Sequence, residues 1–288
     1  FSILFLSEKT RNDTFLLKIK SKCTTGYLTF VSMILTDTHT HLYAEQFNTD
    51  IDLVIKNCIA KGVKRLFLPN IDSSSITGMM ALAEKYPTTC FPMMGLHPTS
   101  VKTNYLEELA VVENWLANYK FCAVGEIGID LYWDKTLLKE QQDAFKAQIN
   151  LAKKYNLPFV IHCRDSFNEI FEILDELNDD TMRGIFHCFT GNIEQANHII
   201  NYGGFKLGIG GVVTFKNSGL DKVVEQIDLE HLVLETDSPY LAPIPYRGKR
   251  NESSYLLNIA EKISEIYKQP IDKIAEITTQ NSIEVFGF

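Results

Sequence analysis

From residue 33 onward the chain alternates between two kinds of stretch. Short apolar runs rich in Val, Ile, Leu and Phe end in polar residues at 34–39, 65–69, 90–96, 123–127, 158–162, 184–187, 205–208 and 232–235. Between them lie longer stretches with apolar residues at helical spacing, at 50–60, 73–86, 105–119, 137–155, 166–177, 193–202 and 220–226; two more, 253–268 and 271–286, close the chain. In 137–155, for example, Leu137, Phe145, Ile149 and Ala152 recur near the 3.6-residue period. Strands alternating with helices predict βαβ units and a parallel sheet. Eight such units in about 250 residues predict a single α/β domain over 33–288, a (β/α)8 TIM barrel. An open doubly wound sheet is the competing arrangement. No linker rich in Pro, Gly or Ser and no charge block divides this region.

The first 32 residues break the pattern. Lys9, Arg11, Lys18, Lys20 and Lys22 against Glu8 and Asp13 make this segment +3, which leaves −11 on the remainder of a chain whose total is −8. Its first six residues are apolar but too few for the core of a signal peptide, and no basic stretch precedes them. Residues 1–32 are therefore expected to be an extension, from upstream of a natural start at Met33 or left by cloning. Nothing in the chain approaches the roughly 20 consecutive apolar residues of a membrane span. The six cysteines, at 23, 58, 90, 122, 163 and 188, form no CxxC pair, which predicts reduced thiols and a cytoplasmic protein. The acidic balance excludes binding of a polyanion through bulk charge, so contact with a nucleic acid would need a local basic patch and bound metal.

The chemistry-bearing residues collect where the predicted strands end. Asp37, His39 and His41 close the first, His97 the third, Glu126 the fourth, His162 the fifth, His187 the sixth, and Glu235 and Asp237 the eighth. The C-terminal ends of barrel strands form the mouth of the active site, so these segments converge on one point if the barrel closes. Side chains alternate along a strand, so Asp37, His39 and His41 share a face, as do Glu235 and Asp237. By the same rule Cys163 and Cys188 are expected to point away from His162 and His187, toward the helices, as small apolar residues. Any one of these groups has an ordinary structural explanation; the repetition of metal-binding side chains at five of these strand ends, the first, fourth, fifth, sixth and eighth, does not. His39, His41, Glu126, His162, His187 and Asp237 are the expected metal ligands. Four imidazoles and two carboxylates suit Zn²⁺, Mn²⁺ or Mg²⁺. Six ligands exceed one tetrahedral zinc and suit two divalent ions with a carboxylate bridging them and an activated water between. Asp237 could accept that water's proton.

The stretches DTHTHL at 37–42, GLHP at 95–98, GEIGID at 125–130, IHCRD at 161–165, HCFTG at 187–191, LETDSPYLAP at 234–243 and PYRGKRNE at 245–252 resemble the signatures of the TatD family of metal-dependent deoxyribonucleases. The resemblance runs from Met33 to the C-terminus in order. It implies an amidohydrolase-like TIM barrel, metal ligands at the same six positions, and Mg²⁺-dependent hydrolysis of DNA phosphodiesters, often from the 3′ end. D-aminoacyl-tRNA deacylation is also associated with some members.

The expected reaction is attack of the activated water on a phosphodiester in single-stranded DNA or at a 3′ end. His97 would contact the phosphate or protonate the leaving group. Arg164, Arg247 and Glu235 are expected among the substrate contacts, with Lys249 and Arg250 beside Arg247. Tyr132 and Trp133 could stack on unpaired bases. An acyl hydrolase is the first competing function. Many amidohydrolase-type barrels place a carbamylated Lys on the fourth strand, where this chain has Glu126, which favours the nuclease. A non-catalytic binding barrel is the second, and it predicts missing ligands, of which there are none.

Overall fold

The computed structural model describes residues 33–287 and, before them, the backbone of β1 (Ser7–Lys9), β2 (Phe15–Ser21) and β3 (Thr24–Thr29), which pair antiparallel in that order. The expected extension over residues 1–32 otherwise lies outside the described residues.

Eight parallel strands follow: β4 (Leu35–Asp37), β5 (Val63–Pro69), β6 (Cys90–Met93), β7 (Val124–Asp130), β8 (Phe159–Arg164), β9 (Gly184–Phe186), β10 (Phe205–Ile209) and β11 (Leu232–Leu234). Regular ladders join β4-β5-β6 and β7-β8-β9-β10-β11. Between these sheets the pairing is irregular but hydrogen-bonded. On one side Met94 bridges Val124, and Gly125 N–H donates to Met94 O. On the other, Thr38 N–H donates to Leu234 O and Asp237 N–H to His39 O. The strands thus close into a (β/α)8 barrel rather than an open sheet.

Helices α1 (Ile51–Ala60), α2 (Ile76–Lys85), α3 (Tyr105–Asn118), α4 (Leu138–Tyr155), α5 (Phe167–Leu177), α6 (Ile193–Asn201), α7 (Leu220–Val224) and α8 (Leu256–Tyr267) each follow a strand, and α9 (Ile271–Phe286) ends the chain. Each buries one apolar stripe against the strands: Phe145, Ile149 and Ala152 of α4 are buried, while its Lys153 and Lys154 close the last turn. Asn156 in the left-handed region stops α4. A capping box of Asn192 and Gln195 starts α6.

The interior of the barrel is a separate apolar cluster. Phe67, Met93, Val160, Ile185 and Val233 fill it, and Val285 and Phe286 of α9 enter it, with Phe286 stacked on Phe67 at 3.9 Å between ring centroids. Thr279 and Asn281 of the same helix hydrogen-bond Ile34 O and Leu232 O, backbone at the starts of β4 and β11. The last helix therefore seals the N-terminal end of the barrel and leaves the C-terminal end open.

Candidate metal centre

The period of two that makes Val160 and Ile185 point inward repeats at the next inward positions, which are His162 and His187. Beside them the lacing of β4 to β11 brings His39, His41 and Asp237 to one spot. His39 Nε2 stands 3.0 Å from Glu126 Oε2 and 3.8 Å from Asp237 Oδ1. His41 Nε2 stands 3.6 and 3.5 Å from the same two oxygens. The other oxygen of Glu126, Oε1, faces the opposite wall, with His162 Nδ1 at 2.8 Å, His97 Nε2 at 3.3 Å and His187 Nε2 at 3.6 Å. The six residues expected to be metal ligands thus meet around one carboxylate, and His97 joins them.

A further set of polar groups holds the rings from behind. His162 Nε2 meets Asp130 Oδ2 at 2.9 Å, and the backbone N–H groups of Tyr132 and Trp133 donate to the other Asp130 oxygen. His187 Nδ1 lies 2.9 Å from Glu235 Oε1, which also accepts the Cys188 N–H. His41 Nδ1 meets the Tyr43 hydroxyl at 2.9 Å. The sequence pattern assigns Asp130 no role, although its parity with Glu126 carries the signal. The predicted fourth strand ends at 127, whereas β7 runs to Asp130. Gly128 makes this possible: with φ +143°, a Cβ there would sit 2.0 Å from His162 O. The close approach of β7 to β8 brings Asp130 onto His162.

Two expectations about residues beside the ligands need correction. Glu235, expected to touch substrate, is 0% exposed and lies behind His187, its Oε1 2.9 Å from His187 Nδ1. Cys188 does not turn away to the helix layer. Strand β9 stops at Phe186, and Cys188 has φ +46°, so strand alternation no longer applies. Its sulfur lies near His187 and Glu235, and Cys188 and Cys163 both line the cavity over the cluster.

The sequence model for TatD related DNases matches residues 36–287. The chain belongs to this family. It is 41% identical to the metal-dependent hydrolase YabD of Bacillus subtilis over 254 residues, 88% of this chain and 99% of that protein. It is 30% identical to YcfH of Escherichia coli, a protein of the same description, over 88% of this chain and 96% of the relative. The crystal structure of the TatD homologue YjjV from Escherichia coli superposes with a TM-score of 0.83 at 28% identity, covering 88% of this chain and 98% of that one. The protein is a TatD-family metal-dependent hydrolase on the amidohydrolase-type barrel.

The donor set of this TatD-family cluster fits a metal. Imidazole nitrogens and carboxylate oxygens within 4.8 Å of one another are what borderline and hard divalent cations bind. Burial raises the Glu126 carboxyl, but His39, His97 and His187 and the hydrogen bond from His162 outweigh it and hold its pKa well below the usual range. Burial also raises Asp237, and the His41 hydrogen bond with the charges of His187 and His39 overcomes it, lowering the carboxyl. His187 goes the other way: burial lowers it, while Glu235 and Glu126 prevail and push it up to about 10.

Above the cluster is a cavity of about 610 Å³. Arg164 lines it, its guanidinium 3.7 Å from the Tyr132 ring centroid. Trp133, 71% exposed, forms part of the rim. Arg247 is exposed and lies over Phe215 at 3.9 Å. Arg250, expected beside Arg247 as a phosphate contact, is instead committed to the protein, since it bonds both oxygens of Asp50 and reaches Glu252.

Proposed function

We propose that this TatD-family hydrolase cleaves the phosphodiester bonds of DNA, trimming single strands from the 3′ end, with two divalent cations at the site. The observation that carries this reading is the split of Glu126: Oε2 faces His39 and His41, and Oε1 faces His162 and His187. A carboxylate with one oxygen turned to each of two imidazole pairs is suited to bridging two ions. Divalent cations so held lower the pKa of a water and offset charge on phosphoryl oxygens.

The side chains around that centre divide the remaining work. Asp237 is ionised and partly open to the cavity, so it can take the proton of the attacking water. Arg164 offers a planar cation to a phosphate at the mouth, its approach fixed by the Tyr132 ring. Trp133 offers an exposed indole to an unpaired base. A cavity of about 610 Å³ suits a strand end rather than a duplex, which favours exonuclease action.

The test uses metal-stripped protein reloaded with Mg²⁺ or Mn²⁺, a 5′-labelled single-stranded oligonucleotide, and Glu126→Ala alongside. The expected result is a metal-dependent ladder that shortens from the 3′ end and is missing in the variant. Absence of cleavage with each metal, at confirmed metal content, would overturn the nuclease reading and make the ester of a D-aminoacyl-tRNA the next substrate.

A further inference from the structure

By distance alone His97 is one more ligand. Its Nε2 lies 3.3 Å from both Glu126 Oε1 and His162 Nδ1, and the three residues form one of the clusters able to hold an ion. The opposite side of each ring says otherwise. A neutral imidazole donates at one nitrogen and accepts at the other, and the partner of the outer nitrogen decides which.

His41, His162 and His187 have acceptors behind them. The Tyr43 hydroxyl donates its proton to Pro69 O, so it accepts from His41 Nδ1. Asp130 stands behind His162 Nε2 within hydrogen-bond reach, and the Glu235 carboxylate lies 2.9 Å behind His187 Nδ1, near enough to attract its proton though not aligned as a hydrogen bond. When a cation occupies the site, these acceptors let the outer nitrogen of each ring keep its proton and free the inner one to ligate.

His97 has a donor behind it. Its ring caps the short helical turn Pro98–Ser100: its Nδ1 accepts the backbone N–H of Thr99 at 3.1 Å, and the Thr99 hydroxyl, which can donate as well as accept, lies 2.7 Å from the same nitrogen. A backbone amide cannot exchange the donor role for the acceptor role. Nδ1 is therefore bare, and the proton of the neutral ring sits on Nε2, the atom aimed into the site. Neutral His97 has no lone pair to give a metal there.

We propose that His97 is not a metal ligand but a fixed N–H donor, which hydrogen-bonds a non-bridging oxygen of the scissile phosphodiester. The proton stays on the ring, and the bond strengthens as negative charge builds on that oxygen. This rests on the phosphodiesterase reading above for its substrate, but not for its tautomer.

The experiment compares the full chain with His97→Ala and His97→Gln, whose amide N–H replaces the ring donor. Mn²⁺ binding is measured by calorimetry, and turnover with bis(p-nitrophenyl) phosphate. The expected result for His97→Ala is an unchanged number of bound Mn²⁺ with Kd within about threefold, and kcat lower by about 10²–10³-fold. His97→Gln should recover about tenfold of that loss. Loss of one Mn²⁺ equivalent, or Kd weakened more than tenfold, in a folded His97→Ala protein would overturn the proposal by making His97 a ligand. If the unaltered protein cleaves no phosphodiester, the substrate reading fails instead. The Mn²⁺ titration and the ¹⁵N–¹H coupling pattern of the His97 ring in Zn²⁺-loaded protein still decide the tautomer, and an Nδ1–H pattern overturns it.

Discussion

Toward the start of the strands the barrel interior holds Val160, Ile185 and Val233, packed with Phe67, Met93 and the intruding Phe286. Two residues further along the chain from Val160, Ile185 and Val233 stand His162, His187 and Glu235. Both sets obey the same alternation, yet one is a dry apolar plug and the other a cluster of buried ionisable groups. Burying apolar area stabilises the fold, whereas burying imidazoles and carboxylates costs free energy unless each is paired. His39 Nδ1, His187 Nδ1 and Glu235 Oε2 are buried without a hydrogen-bond partner. The lower half of the interior thus supports the fold, and the upper half is retained for chemistry at the fold's expense. Substitutions in the two halves should therefore separate activity from stability.

The largest separation is expected for Glu126→Ala. Removing the carboxylate at the centre of the cluster should lower hydrolytic turnover by about 10³-fold or more. Unfolding by urea in chelator should show the variant within about 1 kcal/mol of the unaltered protein, because the lost carboxylate was itself costly to bury and the imidazoles left behind can shed their protons rather than remain as unpaired charges. With Mn²⁺ at 100 times its Kd the unaltered protein should gain about 2.7 kcal/mol over its metal-free form, and the variant much less. Equal destabilisation of the two proteins in chelator and in Mn²⁺ would contradict the division.

Phe67→Ala is the converse. Phe67 is fully buried in the plug and stacked on Phe286. Truncation should cost about 3–5 kcal/mol by urea unfolding, while kcat of the protein that remains folded stays within about twofold. A fall in kcat as large as that of Glu126→Ala would show that the two halves are mechanically coupled.

Asp130→Asn tests the shell between the halves. Asn keeps an acceptor for the Tyr132 and Trp133 N–H groups but loses the charge that faces His162 Nε2. Mn²⁺ affinity should fall by about 10–100-fold. An unchanged Kd would mean that packing alone orients His162.

The upper half is more legible in the sequence than the lower. Polar residues recurring at strand ends are conspicuous against apolar runs, so the pattern of the chain is enough to single out His39, His41, Glu126, His162, His187 and Asp237. Phe67 and Phe286 are apolar residues among many, and nothing local says that they meet across 219 positions of chain. The outer partners are obscured for a different reason. Asp130 lies beyond the predicted end of its strand, and recognising it requires the close β7–β8 approach that Gly128 permits. Glu235 shares parity with Asp237, but parity gives a face and not a depth, so its burial behind His187 is invisible in the pattern. Cys188 defies its parity because the strand ends one residue before His187.

Arg247 gives the smallest expected effect and marks the outer limit of the functional half. It lies beyond the last strand, exposed, with its guanidinium over Phe215, while the neighbouring Arg250 is occupied by Asp50 and Glu252. On the nuclease reading proposed above, an exposed cation of this kind would neutralise one phosphate of a longer strand without taking part at the reacting atoms. Arg247→Ala should therefore raise KM for a single-stranded oligonucleotide by about threefold and reduce the salt dependence of binding by about one phosphate contact. KM for bis(p-nitrophenyl) phosphate, which ends within the cavity, should not change, nor should kcat for either substrate. If both KM values rise together, Arg247 acts on the cavity itself, and the strand must leave the barrel by another side.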